Sequence, residues 1–452
     1  MLYPNILFLV LDSLRPDKIY GKKNAKIPNL ENLLKKGTYF SQAISAADAT
    51  LLSWASIYTG KFPFKTGIRS ARYNKLDENT KTIFDVLKNY NYSFYGFLPT
   101  LSETIGLFPK FSNNNNLYDF TERLYTGLDK KILNLINSSS MIEPWFLNIH
   151  LMDLHFPLVV PPKFDSAKFG SSKYERILSH IDTWLGEILK ILDLKNLILI
   201  VTADHGTSIK KISVDGTVLD FEDKGKNEMM KKKFTKNAPK FLKPMKDKIF
   251  FSLEAKNQSR KLKLLEKYNL KPHEKRALLS GQFSIDHDLF DEKMRVPLLF
   301  VGKNIENNNV YSKQVRTVDI VPTIYKLLEI SGDSKLDGKS LLPFNDDKNS
   351  EDLVAYMESN PMIDKKSNDV IGIRTSHFKY FRDKDSSLRQ VHLYDLINDP
   401  YEDKNIAPSN PELVNEMENK LKKIISNKKI SVTENELDSD EIERELKKLG
   451  YI

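Results

Sequence analysis

Pro4-Asn5-Ile6-Leu7-Phe8-Leu9-Val10-Leu11-Asp12 is an unbroken apolar run that stops on a carboxylate. A strand with one wet face alternates polar and apolar residues. A run without that break is a strand covered on both faces, as in a parallel α/β sheet. Trp145 to Leu151, Leu197 to Val201 and Val296 to Val301 read the same way. Helical patterns lie between them, at 29–36, 52–58, 82–89, 174–192 and 321–329. Strands alternating with helices predict a doubly wound α/β domain. In that architecture ligands gather at the carboxyl ends of the strands. Three of the runs end in or near metal-type residues: Asp12, then Asp153 with His155, then Asp204 with His205. Their shared placement predicts an active site.

The remaining features set limits. Of 452 residues 40% are apolar, enough for a large core, and no apolar run approaches the ~20 residues of a membrane span. The run at Ile6 has no basic leader and no small-residue cleavage site, so it reads as a strand and not as a signal peptide, and a cytoplasmic location is expected. With no cysteine there is no disulfide framework and no thiolate metal site. The net charge of +9 favours anionic partners: phosphate or sulfate esters, glycans, lipid head groups. Lysine and asparagine are spread through the whole chain, however, and no dedicated nucleic-acid motif stands out. The alternation breaks at about 207–280, a Lys-rich stretch that reads as an insertion on the catalytic face. The expected division is a catalytic domain over 1–344, a small α+β subdomain over 353–425 and a charged, partly helical tail over 426–452, with a polar linker at 345–352.

The ordered motifs resemble the sulfatase family of the alkaline-phosphatase-like superfamily along nearly the whole chain. Asp12-Ser13-Leu14-Arg15 is similar to the family's opening metal motif, and Pro28-Asn29-Leu30 follows it. Thr50-Leu51-Leu52-Ser53-Trp54, with Thr59-Gly60-Lys61 behind, stands where the family carries its nucleophile helix. Asp204-His205-Gly206, Arg295-Val296-Pro297, Val318-Asp319-Ile320-Val321-Pro322-Thr323 and the C-terminal Leu393-Tyr394-Asp395-Leu396 come in the family's order. The resemblance implies an alkaline-phosphatase-like doubly wound mixed sheet with helices on both faces, plus the C-terminal α+β subdomain.

It also implies roles. Thr50 is the expected nucleophile, and Asp12, Thr50, Asp204 and His205 are the expected metal ligands. His155 faces the substrate anion in this pattern. Asp153, His155 and His287 are candidates for a second metal or for the substrate anion. Imidazole beside carboxylates favours Zn or Mn, with Ca or Mg open, in one or two ions. Ser13 stands where the family has a second aspartate, which makes an orthodox Ca site harder to build. His150 stays open between site residue and satisfied core histidine. Lys61 belongs to a family motif yet reads more readily as a structural ion-pair partner. Thr50 itself has a plainer reading, an ordinary helix N-cap.

The chain departs from the family at the nucleophile. Orthodox members oxidise a Cys or Ser to formylglycine within Cys/Ser-x-Pro-Ser/Ala-Arg, whereas here Thr50, Leu52 and Trp54 take the first, third and fifth places. Threonine is no precursor of that aldehyde, and a sulfated threonine has no internal route of release. Water can attack a phosphothreonine at phosphorus. The expected activity is therefore hydrolysis of phosphate mono- or diesters, or transfer of the phosphoryl group. Sulfuric ester hydrolysis is the alternative, and an inactive polyanion-binding relic the second one.

Overall fold

The structure is a computed structural model, and it describes residues 3–21, 23–68, 75–214, 216–222, 258–280, 287–344, 353–361 and 367–426. The expected linker at 345–352 and the tail beyond 426 lie outside the described residues, as does the middle of the Lys-rich insertion, 223–257.

Eight strands form the main sheet. They are β1 (Asn5–Leu11), β2 (Gly37–Ile44), β3 (Ser93–Pro99), β4 (Leu117–Tyr118), β5 (Trp145–Leu151), β6 (Leu197–Thr202), β9 (Arg295–Gly302) and β10 (Asn309–Arg316). β7 (Lys211–Val214) and β8 (Thr217–Asp220) make a separate hairpin. The sheet order is β10-β2-β9-β6-β1-β5-β3-β4. β9 pairs antiparallel with both β2 and β6, while the other pairings are parallel, so β9 runs against the other seven strands. This is the mixed, doubly wound sheet. All seven residues of β1, of β5 and all six of β6 are buried, which is why they read as unbroken apolar runs.

Helices cover both faces. α1 (Pro28–Lys35) and α4 (Leu128–Asn137) pack on α5 (Lys173–Leu189). α2 (Thr50–Thr59) packs on α3 (Ile83–Lys88) and on the helix Ile320–Leu327. α5 starts at a capping box in which the Ser172 hydroxyl accepts from Glu175 N–H. The buried Asp182 in α5 then ties down α1, accepting from Leu30 N–H at 2.7 Å and Asn29 N–H at 3.1 Å.

A second sheet, β11 (Ala355–Glu358), β12 (Val370–Arg374), β13 (Phe378–Asp383) and β14 (His392–Asp395), is antiparallel throughout and carries the helix Pro411–Ser426. It is tied to the catalytic face by buried ions. Lys379, fully buried, pairs with Asp291 and lies 2.7 Å from Glu402; Arg374 lies 2.9 Å from Asp291. Among the described residues no helix is long and apolar enough to cross a membrane.

Candidate active site

The adjacent parallel strands β6, β1 and β5 deliver their carboxyl ends side by side. Asp12 follows β1 directly, His150 is the penultimate residue of β5, and Asp204 and His205 follow β6. β2 ends at the same edge and its loop leads into α2. Thr50 is the first residue of that helix, and Ala49 is the N-cap, so the plain N-cap reading of Thr50 does not hold. The free amides of the first turn give this end of α2 a partial positive charge. Gly60 closes the other end in the left-handed region at φ +67°.

Six side chains meet at this edge, those of Asp12, Ser13, Thr50, His150, Asp204 and His205. Thr50 Oγ1 donates to Asp12 Oδ2 at 3.2 Å and lies 3.5 Å from His205 Nε2. His150 Nε2 is 3.3 Å from the same Asp12 oxygen. Asp12 Oδ1 accepts from the Ser13 hydroxyl at 2.7 Å, and the Ser13 N–H reaches Asp204 Oδ1 at 3.2 Å. Ser13 sits at φ +61°, a left-handed position that turns its amide back to Asp204. Asp204 Oδ1 also accepts from His205 N–H at 2.8 Å. Its Oδ2 is buried, 3.5 Å from His205 Nε2, with no hydrogen-bond partner among the described residues.

Ligand-type atoms of Asp12, His150 and Asp204 lie within 4.8 Å of one another. The orphaned Asp204 oxygen is what a divalent cation would complete, since a buried carboxylate oxygen without a donor is costly. His205 fits the same demand. Its Nδ1 lies 2.8 Å from Gly206 O, and because a carbonyl only accepts, Nδ1 carries the proton and Nε2 keeps its lone pair. Oxygen and imidazole donors together suit a divalent ion with some affinity for nitrogen. Position 206 is held to glycine by packing: a Cβ there would come within 2.4 Å of Glu292 O, and Gly206 N–H donates to Lys293 O at 2.6 Å.

The two carboxylates titrate apart. Burial raises the Asp12 carboxyl, but His155, the hydrogen bond from His150, and His205 outweigh it and hold it well below the usual range. Burial, and then the charge of Asp12, push Asp204 above the usual range. Burial lowers His205, but Asp204 and Asp12 more than offset it, so the net shift is upward.

In a continued strand, alternation would put Asp153 and His155, two residues apart, on one face. β5 stops at Leu151, and His155 N–H closes a turn onto Met152 O at 3.1 Å, so strand alternation does not put the pair on one face. Asp153 is buried and accepts from Leu124 N–H at 3.1 Å, and burial first pushes it up to about 6. His155 feels Asp12 and His205 electrostatically, and burial lowers it. Its Nδ1 lies 2.7 Å from Phe156 O, which leaves Nε2 with a lone pair. His287 stands at the seam with the C-terminal sheet, its Nε2 3.9 Å from Asp369 Oδ1. Lys61 lies beyond the far end of α2 and pairs with Asp333 at 3.1 Å, which is the structural reading.

Two residues were missed by sequence reasoning. Arg123 is buried against Phe120, which packs edge-on to His155, and its charge acts on both Asp153 and His155. Asp48 acts on His205 and on Lys293. Each is a lone charge in a loop, without a motif around it, and only the fold reveals its neighbours.

Comparison with known proteins places the chain in a family and gives its fold counterparts. The family model described as Sulfatase matches residues 4–330, and that for the C-terminal region of N-sulphoglucosamine sulphohydrolase matches 284–428. Arylsulfatase K of Rattus norvegicus is 23% identical over 479 residues, covering 95% of this chain and 79% of that protein. The ulvan-active sulfatase of Formosa agariphila is 23% identical over 458 residues, covering 94% and 79%. Among solved structures, the phosphonate monoester hydrolase of Agrobacterium radiobacter superposes with a TM-score of 0.66 at 16% identity, covering 94% of this chain and 96% of that one. BT4656, solved with its substrate D-glucosamine-2-N,6-O-disulfate, gives 0.63 at 15% identity, covering 94% and 99%.

Proposed function

The chain belongs to the sulfatase family and is an ester hydrolase, and from that premise we propose that it cleaves sulfuric esters carried on a glycan. The observation that carries this reading is the likeness to an arylsulfatase over 95% of this chain and to an ulvan-active sulfatase over 94% of it. This reverses the order of the two activities that Thr50 alone suggests. The net charge of +9 suits an anionic substrate.

Asp12, Asp204 and His205 would hold a divalent cation, with Thr50 Oγ1 at its edge. Such a cation supplies the Lewis acidity that makes a hydroxyl nucleophilic at neutral pH and neutralises the ester anion. The hydrogen bond to Asp12 fixes the Thr50 hydroxyl and leaves its lone pairs free for an incoming ester. The first-turn amides of α2 receive the anionic oxygens. Thr50 Oγ1 gives up its proton and bonds to sulfur, the bond from sulfur to the leaving oxygen breaks, and the leaving alcohol takes up that proton. Water then attacks the same sulfur, the bond from sulfur to Thr50 Oγ1 breaks, Thr50 recovers a proton and sulfate leaves. His155 is held neutral by burial with its Nε2 lone pair free, so its part is to accept a proton from that water.

Thr50 favours a second reading. A threonine lacks the internal release that formylglycine provides, and direct attack of water is easier at phosphorus; phosphate or phosphonate esters are that reading's substrates. The two are separated by offering metal-replete protein matched aryl sulfate, phosphate, phosphodiester and phosphonate esters, with Thr50→Ala as control. Sulfate turnover lost in Thr50→Ala supports the first reading. Turnover of phosphorus esters alone transfers the activity to the second, and turnover that survives Thr50→Ala removes Thr50 from both.

A further inference from the structure

We infer that Trp54 and His150 form a positioning relay for Asp12, and that His150 stands outside the ligand shell of the cation. The Trp54 indole Nε1–H lies 3.0 Å from His150 Nδ1, and the two rings meet edge-on at 4.9 Å and 88°. An indole nitrogen only donates. His150 Nδ1 is therefore an acceptor, and the proton of the neutral ring sits on Nε2. That Nε2–H points at Asp12 Oδ2, 3.3 Å away. A nitrogen that carries its proton has no lone pair for a metal. His150 is thus unlike His205 and His155, whose Nδ1 atoms are engaged by carbonyl oxygens and whose Nε2 atoms are left bare.

All three members are sealed in: Trp54, His150 and Asp12 are each fully buried. Trp54 is fixed from its other side by the edge-on ring of Phe108 at 5.2 Å. It occupies the place that resembles the family's arginine, so this chain has a neutral donor where a guanidinium is expected. The Asp12 carboxylate receives one donor on Oδ1 from Ser13 and two on Oδ2 from His150 and Thr50, which fixes its rotation. A partner that orients a ligand in this way typically controls affinity or rate by about 10–100-fold.

The inference rests on the reading of Asp12 as a cation holder, but its test does not depend on substrate. Protein labelled with 15N-histidine carries eight histidines, and the His150 signals are identified by their loss in His150→Gln. The expected spectrum shows His150 with a protonated Nε2 and a bare Nδ1, before and after addition of Zn, and Trp54→Phe abolishes that fixed pattern. Should Trp54→Phe fail to fold, His150→Gln carries the test, because its amide N–H can replace the Nε2–H. That variant is expected to keep the Zn content of the parent protein and at least tenfold more kcat than His150→Ala, with KM little changed. Loss of the Nε2 proton when Zn binds, or loss of Zn from His150→Gln as complete as from Asp204→Asn, overturns the inference. A failure of the sulfate reading would appear only in the choice of ester and would leave the spectrum untouched.

Discussion

Replacing Asp204 by asparagine has an effect whose sign depends on the cation. Without a cation, two buried carboxylates face each other, and ligand-type atoms of Asp12 and Asp204 lie within 4.8 Å. At an effective dielectric of about 20, two unit charges at that distance repel by roughly 3 kcal/mol. His205 relieves part of this, being raised by both carboxylates, so the net gain from neutralising Asp204 is about 1–3 kcal/mol. The amide keeps an oxygen for the Ser13 and His205 N–H donors. The sign follows from Asp204 being raised in the fold. Its contribution to stability is full below the unfolded value and is lost as pH rises through the folded one, so the variant gains most at high pH. With a cation the order inverts. Binding at about 1,000 times Kd adds roughly 4 kcal/mol to the parent protein, and the variant loses most of that. The assay is thermal or urea unfolding of both proteins at pH 8, with chelator and then with excess Zn. A parent protein more stable than Asp204→Asn in chelator would refute the carboxylate-repulsion argument. An equal gain from Zn in both would remove Asp204 from the cation site.

Other substitutions test separate parts. Gly206→Ala drives a Cβ to within 2.4 Å of Glu292 O, displaces His205, and is expected to cost about 100-fold in kcat/KM, read by steady-state kinetics. Lys61→Met breaks only the ion pair with Asp333 and is expected to cost about 1–2 kcal/mol in urea unfolding while kcat/KM stays within about threefold. Asp153, pushed up to about 6 by burial, contributes stability that fades as pH rises from about 4 through 6. Asp153→Asn is therefore expected to gain about 1–2 kcal/mol on the parent protein between pH 5 and pH 7.5, measured by urea unfolding at fixed metal.

The sheet's centre was legible because burial on both faces leaves no choice of residue. β1, β5, β6 and β9 read directly as apolar runs. β2, β3 and β10 did not. Gly37-Thr38-Tyr39-Phe40-Ser41-Gln42 mixes polar residues into a strand near the sheet's edge, and Asn309–Arg316, on that edge, is polar at five of its eight positions. Local pattern is weak where partners supply the burial. Asp12, Asp204 and His205 were legible for the same reason as the strands, since each follows an unmistakable run. His150 was not. On sequence it is a histidine inside an apolar strand, and its register opposite Val10, two residues before Asp12, comes from pairing across 140 residues.

The two departures in the first turns of α2, Thr50 and Trp54, belong together. A threonine at position 50 cannot become an aldehyde hydrate, so it offers a single hydroxyl. A guanidinium at position 54 would be a fully buried charge beside His150, a costly arrangement. Trp54 avoids that cost by donating one neutral hydrogen bond and filling the space with its ring. His150 converts that donor into an orienting contact on Asp12. Trp54→Arg is thus expected to destabilise the protein in urea unfolding, because it removes the ring packing against Phe108 and puts a charge into a fully buried position.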